Sequence, residues 1–223
     1  GLIKADPRDF VPVAMLVEET SVVAVRADSP LKTGADLIAA LKADPLKLRL
    51  AVAPAMGQNT HLAIAKPLKT AGVAIDRLTI APFRSSGESV TALIGGHVDV
   101  VSATAPVVLP HVASGKLRLI ASAAPERGVG PLAEVKTWRE QGVDADYVSY
   151  NGVLLPPGAT VDQIRYWEDA LRQVAQSKPW LEMVTKSGNK PIFRGYVDSH
   201  RYLQAEWKAT QELVRELKLE SAR

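Results

Sequence analysis

Three short stretches of this chain carry the residue types that hold small anions. Arg84, Ser85, Ser86 and Gly87 stand where a helix is predicted to begin, and Gly57, Gln58, Asn59, Thr60 and His61 stand at a second such start. Thr104 and Ala105, just ahead of Pro106, form a third. The first backbone N–H groups of a helix have no partner within it, and the aligned peptide dipoles leave that end positive. Each stretch therefore suits a carboxylate or a phosphate. The competing reading is ordinary N-capping, which Ser and Asn perform at any helix. On that reading Arg84 is a solvated charge and His61 a helix residue with partners of its own. Glu88 also counts against a strongly anionic ligand, because it puts negative charge into the same first turn. Three such starts on one sheet edge favour a ligand.

Other chemistry finds less support. The four histidines, His61, His97, His111 and His200, lie far apart with no i,i+4 pair and no cysteine nearby, so no metal site is expected. Gly87-Glu88-Ser89-Val90-Thr91 has Thr where a nucleophile elbow needs its second Gly. Neither a Walker A loop nor a G-x-G-x-x-G loop is present. No catalytic residue and no cofactor is expected, and the chain reads as a non-enzyme.

The elements that must position the three stretches lie in residues 48–121. There a short apolar run, a small polar turn and a glycine-ended helix recur three times, before a fourth apolar run. Residues 48–52, 78–80, 98–103 and 117–121 are the runs; Gly72, Gly95 with Gly96, and Gly115 close the helices. Strands alternating with single helices predict βαβ crossovers and a largely parallel sheet. In such sheets the turns after the strand ends share one edge, where ligands bind. The segments 53–61, 83–87 and 104–106 are accordingly read as loops facing one cleft.

Composition narrows the class. With 223 residues, 47% hydrophobic and 23% charged, the chain has the makeup of a globular protein of one or two domains. A formal charge of +3, spread through predicted helices, gives no stripe for nucleic acid. The absence of cysteine excludes disulfides and thiolate metal sites and fits either a cytosolic or an exported protein. No apolar run reaches 18 residues, and residues 1–10 carry Asp6, Arg8 and Asp9, so neither a membrane span nor a signal peptide is read here.

Around this stretch, residues 11–17 are apolar after an extended Asp6-Pro7 step, and 21–26 form a β-branched run that reads as a strand passing between domains. Thr33 and Asp36 begin a helix that buries Leu37, Ile38 and Leu41 and ends before Pro45. Pro67 is expected to kink or stop the helix it sits in. Further on, 132–141 reads as a helix ended by Gly142, and 146–155 as a strand. Thr160 with Gln163 opens a helix to about Ser177, and 178–187 is another. Residues 192–193 form a short strand, and 197–217 a helix with Tyr202, Ala205, Ala209, Leu213 and Leu217 along one face.

Several pieces of text also recur together in one known family. They are Asp9-Phe10-Val11-Pro12-Val13-Ala14 (D-F-x-P-V-A), Gly57 through His61-Leu62 (G-T-x-x-H-L), and Phe83-Arg84-Ser85-Ser86-Gly87. Thr91-Ala92-Leu93-Ile94-Gly95-Gly96-His97-Val98-Asp99 (T-x-L-L-G-G-x-V-D) follows, then Pro110-His111 with Ser114-Gly115-Lys116-Leu117-Arg118. The last is Gly152-Val153-Leu154-Leu155-Pro156-Pro157-Gly158-Ala159-Thr160. In order and spacing the chain resembles the periplasmic solute-binding proteins of tripartite tricarboxylate transporters, the Bug family.

The resemblance implies a type II periplasmic-binding-protein fold, two doubly wound α/β domains with a two-strand hinge and a ligand closed between them. It implies a small organic acid as ligand, held largely by backbone N–H groups and water, and delivery to membrane permease subunits. It also implies the periplasm, reached by a signal peptide not in this chain. Against the family the chain is expected to lack the N-terminal third, which leaves the first domain incomplete. Residues 1–23 and 125–223 would be its remnant and 24–124 a complete second domain carrying the ligand loops. Strand edges left unpaired would invite a dimer. Gln58 stands where the family commonly has Thr, and Pro54 removes one N–H donor, so the dicarboxylate preference of the family does not carry over directly. The alternative is a ligand-sensing effector module of a transcription or two-component regulator with the same fold, which would carry a helix-turn-helix ahead of it.

Overall fold

Strand β1 runs from Val11 to Arg26 in the computed structural model, which describes Asp6 and residues 9–216. The sequence reading split it into two pieces; Glu18, Glu19 and Thr20 bridge them without a break. From Val11 to Thr20 it pairs antiparallel with β6 (Val148–Leu155), and β7 (Lys190–Arg194) lies on its other side. From Ser21 onward its partners are β4 (Val100–Thr104) and β5 (Leu117–Ser122). The two glutamates at the change of partners are held locally: Tyr150 donates to Glu18 and Ser149 to Glu19, both at 3.3 Å.

The larger sheet has the order β3-β2-β4-β1-β5, with β2 at Arg49–Val52 and β3 at Thr79–Pro82. Strand β2 is parallel to both β3 and β4, as the βα alternation predicts, but β1 inserts antiparallel between β4 and β5. Alternation reads connections between neighbours in sequence; it carries no signal for a strand that arrives from elsewhere in the chain.

Helix α1 (Gly34–Ala43) has the expected capping box of Thr33 and Asp36 and buries Leu37, Ile38 and Leu41. Helices α2 (Asn59–Thr70), α3 (Ser86–Ile94) and α4 (Ala105–Ala113) follow β2, β3 and β4 in turn. Pro67 does not stop α2, which continues to Thr70. Its missing N–H forfeits a single helical bond, and the buried ring packs inward. One side of the sheet is packed by Leu37, Leu41, Ile64, Leu68 and Trp138, the other by Val90, Leu93, Val108 and Leu132. Trp138 is fully buried and lies against Gly34, where a Cβ would stand 2.5 Å from the indole ring.

The expected helix over 132–141 does not form. Two 3₁₀ turns, Gly130–Leu132 and Arg139–Gln141, take its place, the second ended by Gly142 at φ +85°. Thr137 and Glu140 bond each other locally, N–H to carboxylate at 2.9 Å and N–H to hydroxyl at 3.2 Å. Thr137 also bridges Ser122, and such local bonds compete with helix continuation. Leu132, Trp138, Val143 and Ala145 all pack with the larger sheet.

The first half of β1 is covered by α5 (Val161–Gln176) and α6 (Lys178–Lys186), through Ala14, Leu16, Val17, Ala175 and Val184. Thr160 and Gln163 form the predicted capping box of α5. Helix α7 spans Tyr196–Glu216, and part of its inward face is the predicted one. Tyr202 and Leu213 turn inward as predicted, together with Glu206 and Thr210, whereas Ala205 and Ala209 are exposed. Tyr202 packs edge-on against Tyr150 at 4.7 Å with the Arg194 guanidinium over both rings. Leu217 and the Asp6-Pro7 step extend outside the described residues.

Candidate functional site

Because β2, β3 and β4 point the same way, the loops that leave them meet at one sheet edge. The order β3-β2-β4 puts the loop before α2 in the middle, with the starts of α3 and α4 on either side. The helix starts read from sequence are thus brought together. What their side chains do there differs from one start to the next.

The middle loop is closed on itself. Thr60, buried, accepts the Ala53 N–H at 3.1 Å and donates to the Ala53 carbonyl at 2.5 Å. His61, 2% exposed, accepts the Gly57 N–H on Nδ1 at 2.8 Å. Burial holds its pKa below the ordinary imidazole value, which keeps the ring neutral and able to accept. Gly57 has φ +79°, a left-handed conformation that favours glycine, in open surroundings. The Thr60 hydroxyl, the His61 Nδ1 and the Gly57 N–H are therefore spent on loop shape. Gln58 is the N-cap residue but makes no side-chain capping bond, and Gln58 and Asn59 are exposed. The first-turn N–H groups of α2 are left to whatever occupies the edge.

Helix α3 is capped from within. Ser85 Oγ accepts the Glu88 N–H at 3.2 Å, and the Glu88 carboxylate reaches back to the Arg84 N–H at 3.3 Å. The ordinary capping reading describes this start, with Glu88 in the position of an anion. Ser86 is half-buried and Gly87 exposed, and their carbonyls accept the hydroxyls of Ser89 and Thr91. At α4, Thr104 makes no capping bond, whereas Ala105 is fully buried, close to Gly188. Pro106 removes one donor from this first turn.

Two residues that support the loop were not singled out from sequence. Ser102 on β4 donates to the Thr60 carbonyl at 2.6 Å and anchors the start of α2. A lone buried hydroxyl in an otherwise apolar strand was the available signal. Tyr147 donates to Asn59 Oδ1 at 3.3 Å from far along the chain, and no sequence signal marks that pairing. Its hydroxyl pKa is pushed up to about 12, chiefly by burial and further by the charge of Glu206. Among the described residues no group of three or more His, Cys, Asp or Glu is arranged to hold a metal ion, and no helix is long and apolar enough to cross a membrane.

Comparison with known proteins identifies the lineage of this edge. The family described as "Tripartite tricarboxylate transporter family receptor" (TctC) matches residues 3–219. Protein BugT of Bordetella pertussis is 28% identical over 209 residues, covering 93% of this chain and 63% of BugT. The structure of Rpa4515 from R. palustris with adipate has a TM-score of 0.86 at 24% identity, covering 96% of this chain and 71% of that one. MatC from Rhodopseudomonas palustris, with bound malate, has a TM-score of 0.80 at 23% identity, covering 96% and 73%. These structures share the α/β periplasmic-binding-protein fold that the resemblance implied. The chain spans between 44% and 63% of the lengths of the curated relatives it matches. With nearly its whole length matched by the family pattern, the chain belongs to the tripartite tricarboxylate transporter receptor family.

Proposed function

We propose that this chain is a non-enzymatic receptor that captures a small carboxylate where α2, α3 and α4 begin. It acts in the periplasm and presents the acid to the permease subunits of a tripartite transporter. The observation that carries this reading is the pair of helix starts, α2 and α4, that adjoin at one sheet edge without side-chain caps. Their free N–H groups and positive dipole ends complement a carboxylate. The acids bound by Rpa4515 and MatC, adipate and malate, support the same class here. Backbone groups of Asn59, Thr60 and Ala105 carry the contact in this reading, with Gln58, Arg84, Ser86, Gly87 and Thr104 around them. Gly57, His61 and Ser85 keep the loops in shape.

The division into two units belongs to the same proposal. One unit is built on the larger sheet and the other on β6, β7 and the first half of β1. The partner change between Thr20 and Ser21 supports a boundary close to residue 23. The packing of Leu132, Trp138 and Val143 supports assigning much of 125–147 to the larger unit. Self-association is supported by exposed Leu154 on β6, and a strictly monomeric protein in sedimentation would remove that part.

Thermal shift with acetate, malate, adipate and citrate tests the reading. A ligand that binds only the native state at a hundredfold over its Kd adds about 2.7 kcal/mol of stability. No rise in Tm with any acid would overturn it. Asn59→Pro sharpens the test, because proline is tolerated at the first helical position and Gln58 before it is already extended. The variant should lose affinity relative to Asn59→Ala, which gives up the same Tyr147 hydroxyl bond but keeps the backbone donor.

A further inference from the structure

A cavity of about 230 Å³ lies between α2 and the surface of β2 and β3, and the capture edge makes no use of it. Ile64 and Leu68 form its helical wall, and Leu50 and Ile80 its floor. His61 and Met56 stand at the end next to the ligand loop; Asp76, exposed, and Leu78 stand at the opposite end, where the strands begin. The seven helical rises from His61 to Leu68 give the groove roughly 10 Å of length along the helix axis.

The lining is largely apolar, with the His61 ring as its one imidazole donor. Nδ1 of His61 accepts from Gly57, so the neutral ring carries its proton on Nε2. Among the described residues no protein group bonds Nε2, and the ring lines the cavity. An N–H that opens on a cavity can bond a ligand placed there. The dipole end of α2 lies at the same end of the groove and favours negative charge there. Asp76 sets the opposite condition at the far end, where a second carboxylate meets like charge.

We propose that this groove is a specificity pocket for a monocarboxylate with an apolar tail. A carboxylate oxygen accepts from His61 Nε2–H at the α2 end, and the tail lies along Ile64 and Leu68 toward Asp76. An apolar cavity of about 150 Å³ is enough for benzene, so this longer one accommodates a straight chain of about eight carbons. The inference rests on the carboxylate reading above and narrows it from organic acids in general to medium-chain monoacids. Met56, 48% exposed on the loop, marks the entry.

Calorimetric titration of the whole chain with butanoate, hexanoate, octanoate and suberate tests it, with malate and adipate as short and diacid references. Each methylene placed in the groove should tighten binding by about fourfold. Suberate, the eight-carbon diacid, should bind at least tenfold more weakly than octanoate, because it must bury a second charge. Asp76→Asn, a change at an exposed position, should tighten suberate more than octanoate and so recover part of that difference. If malate or adipate binds and affinity does not grow with tail length, the pocket is refuted while the receptor reading stands. If no acid binds, both fall. If octanoate and suberate bind equally in the parent chain, the orientation set by Asp76 is wrong and the proposal is overturned.

Discussion

A neutral imidazole at position 61 holds the central ligand loop, and that makes the loop sensitive to acid. The unfolded chain titrates this ring near 6.5, whereas burial lowers the folded value. Between the two values the unfolded chain binds more protons. The contribution of His61 is therefore complete above 6.5 and is lost as pH falls through the folded value. Urea midpoints measured from neutral pH down to about pH 5 should fall for the parent chain. They should fall less for His61→Gln, which can still accept from Gly57 but does not titrate. Equal slopes would show that His61 is not the source. Thr60→Val makes a second test at this scale. It removes the hydroxyl partner of both Ala53 backbone groups, and chemical denaturation should show a loss of about 1–3 kcal/mol. Sequence reading picked out Thr60 and His61 as ligand groups; the structure shows bonds from both side chains to the backbone of their own loop. The bonds from Thr60 to Ala53 and from His61 to Gly57 depend on the turn the loop takes, and residue types alone do not specify that turn.

At the scale of the element, what is local in sequence was legible. Thr33 with Asp36 and Thr160 with Gln163 announce their helices because each capping box is complete within four residues. The three βα units were legible for the same reason, since run, turn and helix follow directly in the chain. The misreadings share the opposite property. Residues 132–141 give up a helix to deliver Trp138 into a core built by distant segments, and α7 leaves Ala205 and Ala209 exposed while Tyr202 meets the distant Tyr150 and Arg194. The Trp138 packing yields a prediction. Gly34→Ala would drive a methyl group to within 2.5 Å of the indole of a fully buried ring, so α1 or the tryptophan must shift. The expected cost is about 1–3 kcal/mol in urea denaturation, although alanine is the better helix former. An unchanged midpoint would mean that the indole has room to move.

At the scale of the molecule, β1 makes two sheets depend on one strand. Both halves pair on each side, so neither sheet can lose β1 without the other feeling it. Unfolding followed by far-ultraviolet circular dichroism and by tryptophan fluorescence should give coincident transitions. Two separated transitions would show that the halves of β1 let go independently. The shared strand also imposes an order in time. Of the seven strands β1 is the first made, yet Glu18 and Met15 must wait for Lys190 and Arg194 at the far end of the described chain. At about 5–20 residues per second, that wait is on the order of ten to thirty seconds of translation. Throughout it, a 16-residue strand rich in valine is without its full set of partners and open to mispairing. The same delay means that β1 cannot join its two sheets fully until residues 190–194 have been made.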